Sequence, residues 1–199
     1  MEAIRQAFVA MTNPRRADAV AKTGELFMKS YNDKIMNRIN RKMQTNKIGR
    51  QILLEKPLIT NALLKTYPKD SFGESYMSFI DSHGFSLDRP IVSTKMQHPY
   101  ILTRYRQIHD FNHVLFNLRP TVHGEAILKW IEFQQLELTM PLFAGLVGIY
   151  YNLTINDIQY GTQQGYVSDF MMNIYYEKHL ETNLNELRSK LKITPFKYE

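Results

Sequence analysis

The chain has 199 residues, with 25 Lys or Arg against 19 Asp or Glu, and no cysteine. The lack of cysteine excludes disulfides and thiolate metal sites, so any metal must be held by imidazole, carboxylate, carbonyl or water. The net charge of +6 is gathered at the start: residues 1–50 hold eleven basic and four acidic side chains, the remainder fourteen and fifteen, which suits an acidic partner or an anionic membrane face.

The length fits one domain over residues 1–199 with a core large enough to fold alone. The apolar pattern is helical, since spacings of three and four are common and strand-like alternation is scarce. A short helix is expected from Glu2 to Met11. Asn13 then caps a second helix, with Pro14 in its first turn, where a missing amide costs least. Residues Leu26 to Met43 are amphipathic, with Phe27, Tyr31, Ile35, Ile39 and Met43 on one stripe that fits a core face. A further helical stretch is expected from Ile48 to Tyr67, with a break near Pro57. Asp70-Ser71 opens a helix that runs through Phe79 and Ile80 to about Gly84. Phe85 to Thr94, which contains Pro90, reads as loop or extended chain.

The next helix is expected from about Tyr100 to Leu118, and Pro120 opens another that carries Glu125, Lys129 and Trp130. Leu138 to Asn156 contains no charge and approaches the length of a membrane span. Pro141, Gly145, Gly148, Asn152 and two tyrosines favour a buried helix or one wall of an apolar groove instead. The expected fold class is therefore all-α, a single-domain helical bundle. Nucleic acid is not an expected partner, because the chain has no zinc finger, no aromatic-rich RNA-binding box and no glycine-rich arm. The first 30 residues lack the continuous apolar core of a secretory signal.

His109 and His113 stand four residues apart on the helix ending near Leu118, so their rings share one face, one turn apart. Asp110 is adjacent, and Glu125 follows just beyond the expected turn at Arg119-Pro120. Two imidazoles and two carboxylates make a nitrogen and oxygen donor set that suits zinc and also accepts iron or manganese. The plainer alternatives are two solvated helix histidines, and an i,i+4 surface ion pair between Glu125 and Lys129.

The stretch His109-Asp110-x-x-His113, eleven residues, then Glu125 resembles the His-Asp-x-x-His-x11-Glu motif of the ubiquinone biosynthesis protein 4 (coenzyme Q protein 4) family. Arg104-Tyr105-Arg106 before it, and Gly124-Glu125 through Lys129-Trp130 and Glu132 after it, also look like that family. Asn13-Pro14 with Arg16, Asp18 and Thr23-Gly24-Glu25 resembles its opening segment. Gly49 to Pro57 is similar to its Gly-x-Gln-Ile-Leu-x-Glu-x-Pro stretch, and Asn173-Ile174-Tyr175-Tyr176-Glu177 to its Asn-Leu-Tyr-Tyr-Glu box. Two departures stand out. Gln135 to Met140 lack the Gly and Pro of the family's Gln-Thr-Gly-Leu-Pro-Met, which changes the turn chemistry there. Leu26 stands where the family tends to repeat Thr-Gly. Family-like sequence from Asn13 onward leaves too little preceding chain for a cleavable transit peptide.

The resemblance implies a place in ubiquinone biosynthesis: metal-dependent removal of the C1 carboxyl group from a 4-hydroxy-3-methoxy-5-polyprenylbenzoate. It implies a divalent metal, zinc first, held by His109, His113 and Glu125, with Asp110 as a fourth ligand or a carboxylate behind the ligands. Those four residues carry the expected catalysis. Arg104 and Arg106 are placed against the substrate carboxylate, with a structural ion pair as the alternative. His123 is a lesser candidate ligand, and Met140, Leu142, Phe143, Leu146, Val147 and Ile149 are placed along a channel for the polyprenyl tail. The implied partners are a polyprenylated aromatic substrate or quinone lipid, other ubiquinone-biosynthesis proteins and a membrane surface bound peripherally. The implied location is the matrix side of the mitochondrial inner membrane, and a homo-oligomer is left open. Two non-enzymatic readings stand beside the decarboxylase: a polyprenyl-lipid-binding organiser of the biosynthetic complex, and a structural subunit of a larger respiratory membrane assembly.

Overall fold

A computed structural model describes residues 34–60, 63, 65–87, 98–138 and 153–198. Among these residues there are seven α-helices and no strand. They are α1 over residues 34–45, α2 Lys47–Glu55, α3 Phe72–His83, α4 Pro99–Phe116, α5 Val122–Leu136, α6 Ile155–Val167 and α7 Leu184–Lys190, with 3-10 turns at Met171–Asn173 and Tyr176–Lys178. The class is all-α, as the spacing of apolar residues requires. The helices expected before residue 34, with Phe27 and Tyr31, lie outside the described residues. So do residues 139–152, which hold most of the uncharged stretch and all six residues placed along a lipid channel.

Local chemistry explains the boundaries. On α1 the buried side chains are Ile35, Met36, Ile39 and Met43, the expected apolar stripe. Asn46 then starts α2, its side chain accepting the amides of Ile48 and Gly49. The helical stretch expected to reach Tyr67 stops at Glu55. Lys56 is left-handed (φ 48°), its amide returns to the Ile52 carbonyl, and Pro57 has no amide to continue the ladder. Ser71 caps α3 by accepting the Glu74 amide at 3.1 Å, while the Glu74 carboxylate reaches back to the Asp70 amide at 2.7 Å. Gly84, at φ 64°, ends α3 where the sequence places its end.

The chain is built as two compact units. One comprises residues 37–60, 63, 65–87, 98–118 and 167–198 of the described chain. Its centre is α4, which is buried on nearly every face. A helix apolar or occupied all round has no solvent side to present, so it belongs in a core. Phe111 on α4 stacks on Tyr176 with ring centroids 5.2 Å apart and meets Tyr76 of α3 at 4.1 Å. The Tyr176 hydroxyl donates to Asn112 Oδ1 at 2.7 Å, which satisfies a buried polar pair that would otherwise cost free energy.

The other unit comprises residues 34–36, 119–138 and 153–166 of the described chain. It joins α5 to α6: Trp130 Nε1 donates to Thr162 Oγ1 at 2.8 Å, and the His123 ring meets Asp157 at 3.0 Å. No helix among the described residues is long and apolar enough to cross a membrane.

Candidate metal centre

Pro99 occupies the first turn of α4, where its missing amide is harmless, and Asn117 closes the helix in the left-handed conformation (φ 56°). The closing turn carries two reversed hydrogen bonds: Leu118 N–H to the His113 carbonyl at 2.9 Å and Asn117 N–H to the Val114 carbonyl at 3.2 Å. This turn aims the Leu118 carbonyl back at the helix, and His113 Nδ1 meets it at 2.9 Å. A carbonyl can only accept, so the proton of neutral His113 sits on Nδ1 and its Nε2 keeps a lone pair. The ring is buried and stacks on Phe79 of α3, with centroids 5.5 Å apart.

His113 Nε2 faces His109 Nε2 at 3.2 Å, and the two rings stand edge to face at 85°. Two nitrogens bound to one tetrahedral zinc at about 2.0–2.1 Å lie about 3.3 Å apart, so the pair already has the separation of two ligands on one ion. His109 is half-buried, which leaves the pair reachable from solvent. Fixing one ring nitrogen to a carbonyl while the other is presented is the usual arrangement behind a metal-bound histidine.

Glu125 is set by the start of α5. Thr121, in extended conformation, accepts the Gly124 amide at 3.2 Å, and the Glu125 amide donates to the Thr121 carbonyl at 2.8 Å. Helix α5 therefore begins at Val122, two residues after the Pro120 start read from the sequence. Gly124 is required by a close approach: a Cβ there would lie 2.1 Å from the Arg119 carbonyl oxygen. The motif read in the sequence joins Glu125, which lies in the second unit, to the histidine pair as a candidate trio of ligands. The donor set, two imidazoles and a carboxylate, fits a divalent ion of the zinc class.

The remaining expected residues fall outside that group. Asp110, next to His109, is buried and does not belong to the trio. His123 Nε2 is engaged by Asp157. Lys129, the alternative partner weighed for Glu125, donates to the buried carboxylate of Glu132 at 2.8 Å. Arg104 is fully buried, and its fork is filled from within the chain: both Nη atoms donate to the Glu177 carboxylate, and Nη2 also donates to the Ile174 carbonyl at 3.0 Å. Of the two roles weighed for Arg104, the geometry fills the structural ion pair, because a bidentate guanidinium has no second fork for a substrate. Arg106 is partly buried on the same helix. The Leu118 carbonyl and Phe79 were not singled out from the sequence, since a main-chain acceptor leaves no residue signature. Glu177 was quoted in a motif without a role, and its partner is 73 positions away.

The class is an all-α protein that carries a possible metal-binding histidine pair on α4. A family model, coenzyme Q (ubiquinone) biosynthesis protein Coq4, matches residues 1–197, and the chain belongs to that family. Among named relatives, the mitochondrial ubiquinone biosynthesis protein coq-4 of Caenorhabditis elegans is 31% identical over 96% of this chain and 88% of its own length. The mitochondrial ubiquinone biosynthesis protein coq4 of Schizosaccharomyces japonicus is 27% identical over 94% of this chain and 83% of its own. A crystal structure of a protein from Nostoc punctiforme PCC 73102 shares the fold, with a TM-score of 0.71 and 17% identity over 96% of both chains.

Proposed function

We propose that this member of the ubiquinone biosynthesis family is a metal-dependent decarboxylase that removes the C1 carboxyl group from a 4-hydroxy-3-methoxy-5-polyprenylbenzoate. The observation that carries the reading is the His109 and His113 nitrogen pair, 3.2 Å apart with the His113 tautomer fixed by Leu118. When bound, a divalent ion of the zinc class supplies positive charge that fixes an anionic substrate oxygen. His109, His113 and Glu125 would hold it, with Asp110 as a fourth ligand or a carboxylate behind the ligands. Decarboxylation breaks the bond from C1 to its carboxyl carbon, releases carbon dioxide and places one proton on C1. The ring oxygen para to C1 shares the positive charge of the protonated ring. A carboxylate or a bound water moves that proton, as general acid and base chemistry requires.

The polyprenyl tail keeps the substrate in a bilayer, so the enzyme works at a membrane surface. Relatives named mitochondrial support a mitochondrial location, and the reading places the enzyme on the matrix face of the inner membrane, beside other ubiquinone-biosynthesis proteins. The test is carbon dioxide release by the purified chain from a defined polyprenylbenzoate, with and without chelator. Release should stop with chelator and in His109→Ala. No release by folded, metal-loaded protein, together with full rescue of a family-deficient strain by His109→Ala and Glu125→Ala, would transfer the role to a non-catalytic organiser of the pathway.

A further inference from the structure

The end of α4 is closed from far along the chain. The last four carbonyls of an α-helix have no partner within it, and in α4 they belong to His113, Val114, Leu115 and Phe116. The closing turn itself meets the first two, through the amides of Leu118 and Asn117. Arg188 on α7, 73 positions beyond Leu115, meets the third: its Nε donates to the Leu115 carbonyl at 2.9 Å, and its Nη2 adds a bond to the Val114 carbonyl, also at 2.9 Å. The fourth falls to Phe196, whose amide donates to the Phe116 carbonyl at 2.8 Å and whose carbonyl accepts Asn117 Nδ2 at 2.8 Å.

The guanidinium of Arg188 suits this place in three ways. Nε and Nη2 form one edge of a planar group, so their two bonds run side by side and fix the spacing of two successive carbonyls. The remaining nitrogen, Nη1, donates to Asn185 Oδ1 at 3.1 Å, three residues back on α7, which sets the plane of the fork. A cation at a helix C-terminus also opposes the partial negative charge gathered there. The turn it supports is a demanding one. Asn117 must keep a left-handed backbone (φ 56°) for the chain to reverse and bring the Leu118 carbonyl to His113 Nδ1.

We infer that Arg188 is a positioning residue for the candidate metal centre: it pins the last turn of α4, so that Leu118 keeps the proton of His113 on Nδ1 and His113 Nε2 stays open for an ion. Arg188 acts through the main chain, by way of the carbonyls of Val114 and Leu115 and the turn that follows them. Groups behind a metal-bound histidine fix its tautomer and ring orientation, and here the group in direct contact, a main-chain carbonyl, is itself held in place by a distant side chain. The inference rests on reading His113 as a ligand, but its first readout is made without metal or substrate.

The full, metal-free chain is prepared with nitrogen-labelled histidine and studied by nuclear magnetic resonance at a pH where the rings are neutral. His113→Ala identifies the His113 signal among the six histidines. Wild type should carry the His113 ring proton on Nδ1. Arg188→Gln should move a large share of it to Nε2 and weaken zinc affinity about tenfold, the low end for loss of an outer contact. Arg188→Lys keeps the charge without the fork and should fall between the two. Glu177→Gln is the comparison. It also breaks a buried contact of α4, at Arg104, and should leave the tautomer and the zinc affinity unchanged. Circular dichroism checks that each variant is folded. The inference is overturned if Arg188→Gln keeps the wild-type tautomer, if it loses the tautomer without losing zinc affinity, or if Glu177→Gln shifts both equally. A wild-type chain that takes up no zinc would end the decarboxylase reading, and the tautomer would still decide whether Arg188 orients the ring.

Discussion

His113 and Leu118 are joined twice: the Leu118 amide donates to the His113 carbonyl, and the His113 ring meets the Leu118 carbonyl, both at 2.9 Å. The turn that ends α4 is thereby the device that orients a proposed ligand. His109 is half-buried where His113 is buried. The two histidines should therefore respond differently to removal. His109→Ala should lose bound metal with little change in apoprotein stability. His113→Ala should lose metal and also cost about 2–3 kcal/mol, because it empties a buried site against Phe79 and strips the Leu118 carbonyl of its partner. Metal content by mass spectrometry and urea midpoints measure both. Equal stability losses would contradict the asymmetry.

Arg104 and Glu177 make a buried ion pair that ties α4 to the Asn173–Glu177 box. Breaking one side leaves an uncompensated charge in the core, which typically costs about 3–5 kcal/mol. Glu177→Gln should show that loss in chemical denaturation while keeping its metal. Arg104→Lys should lose stability too, since an ammonium cannot make the forked contact with both carboxylate oxygens and reach the Ile174 carbonyl. A fully stable Glu177→Gln would return Arg104 to the list of substrate-binding candidates.

How far the sequence could be read follows from how local each signal is. Ser71 and Gly84 act within one turn of the helix they bound, so the start and end of α3 were legible, as was the one-turn spacing that puts His109 beside His113. The break near Pro57 was legible; its exact place at Glu55 was not. It depends on Lys56 adopting a left-handed backbone, a choice a lysine does not advertise, and Pro57 marked only a break. Arg104 was ambiguous because its partner lies far along the chain, and an arginine in a recognised motif looks the same whether it binds substrate or a buried carboxylate. Arg50, Leu54 and Lys56, the positions the Gly49 to Pro57 motif leaves unspecified, are all exposed.

The approach of the Arg119 carbonyl to Gly124 gives a third prediction. In Gly124→Ala the new Cβ meets main chain at 2.1 Å, and main chain at a helix start cannot swing aside as a flexible side chain would. The turn must open, at about 2 kcal/mol or more. Because Glu125 is the next residue, metal affinity should fall along with stability. An unchanged urea midpoint would mean the turn can open at no cost.

Asp157 supplies the pH dependence. Burial raises its carboxyl pKa, but hydrogen bonds from His123 and from the amide and hydroxyl of Thr154 outweigh burial and hold it below the ordinary 3.8. A carboxyl depressed in the folded state contributes stability that is present above 3.8 and is lost as the pH falls through the lower folded value. Asp157→Asn keeps an oxygen for the Thr154 amide but removes the charge facing His123. Wild type should therefore be more stable than Asp157→Asn near neutral pH, and the difference should shrink on acidification below 3.8. Denaturation midpoints of both proteins across the acid range measure this. A constant gap would show that the hydrogen-bond geometry, and not the ionised carboxylate, is what stabilises the α5 and α6 pair.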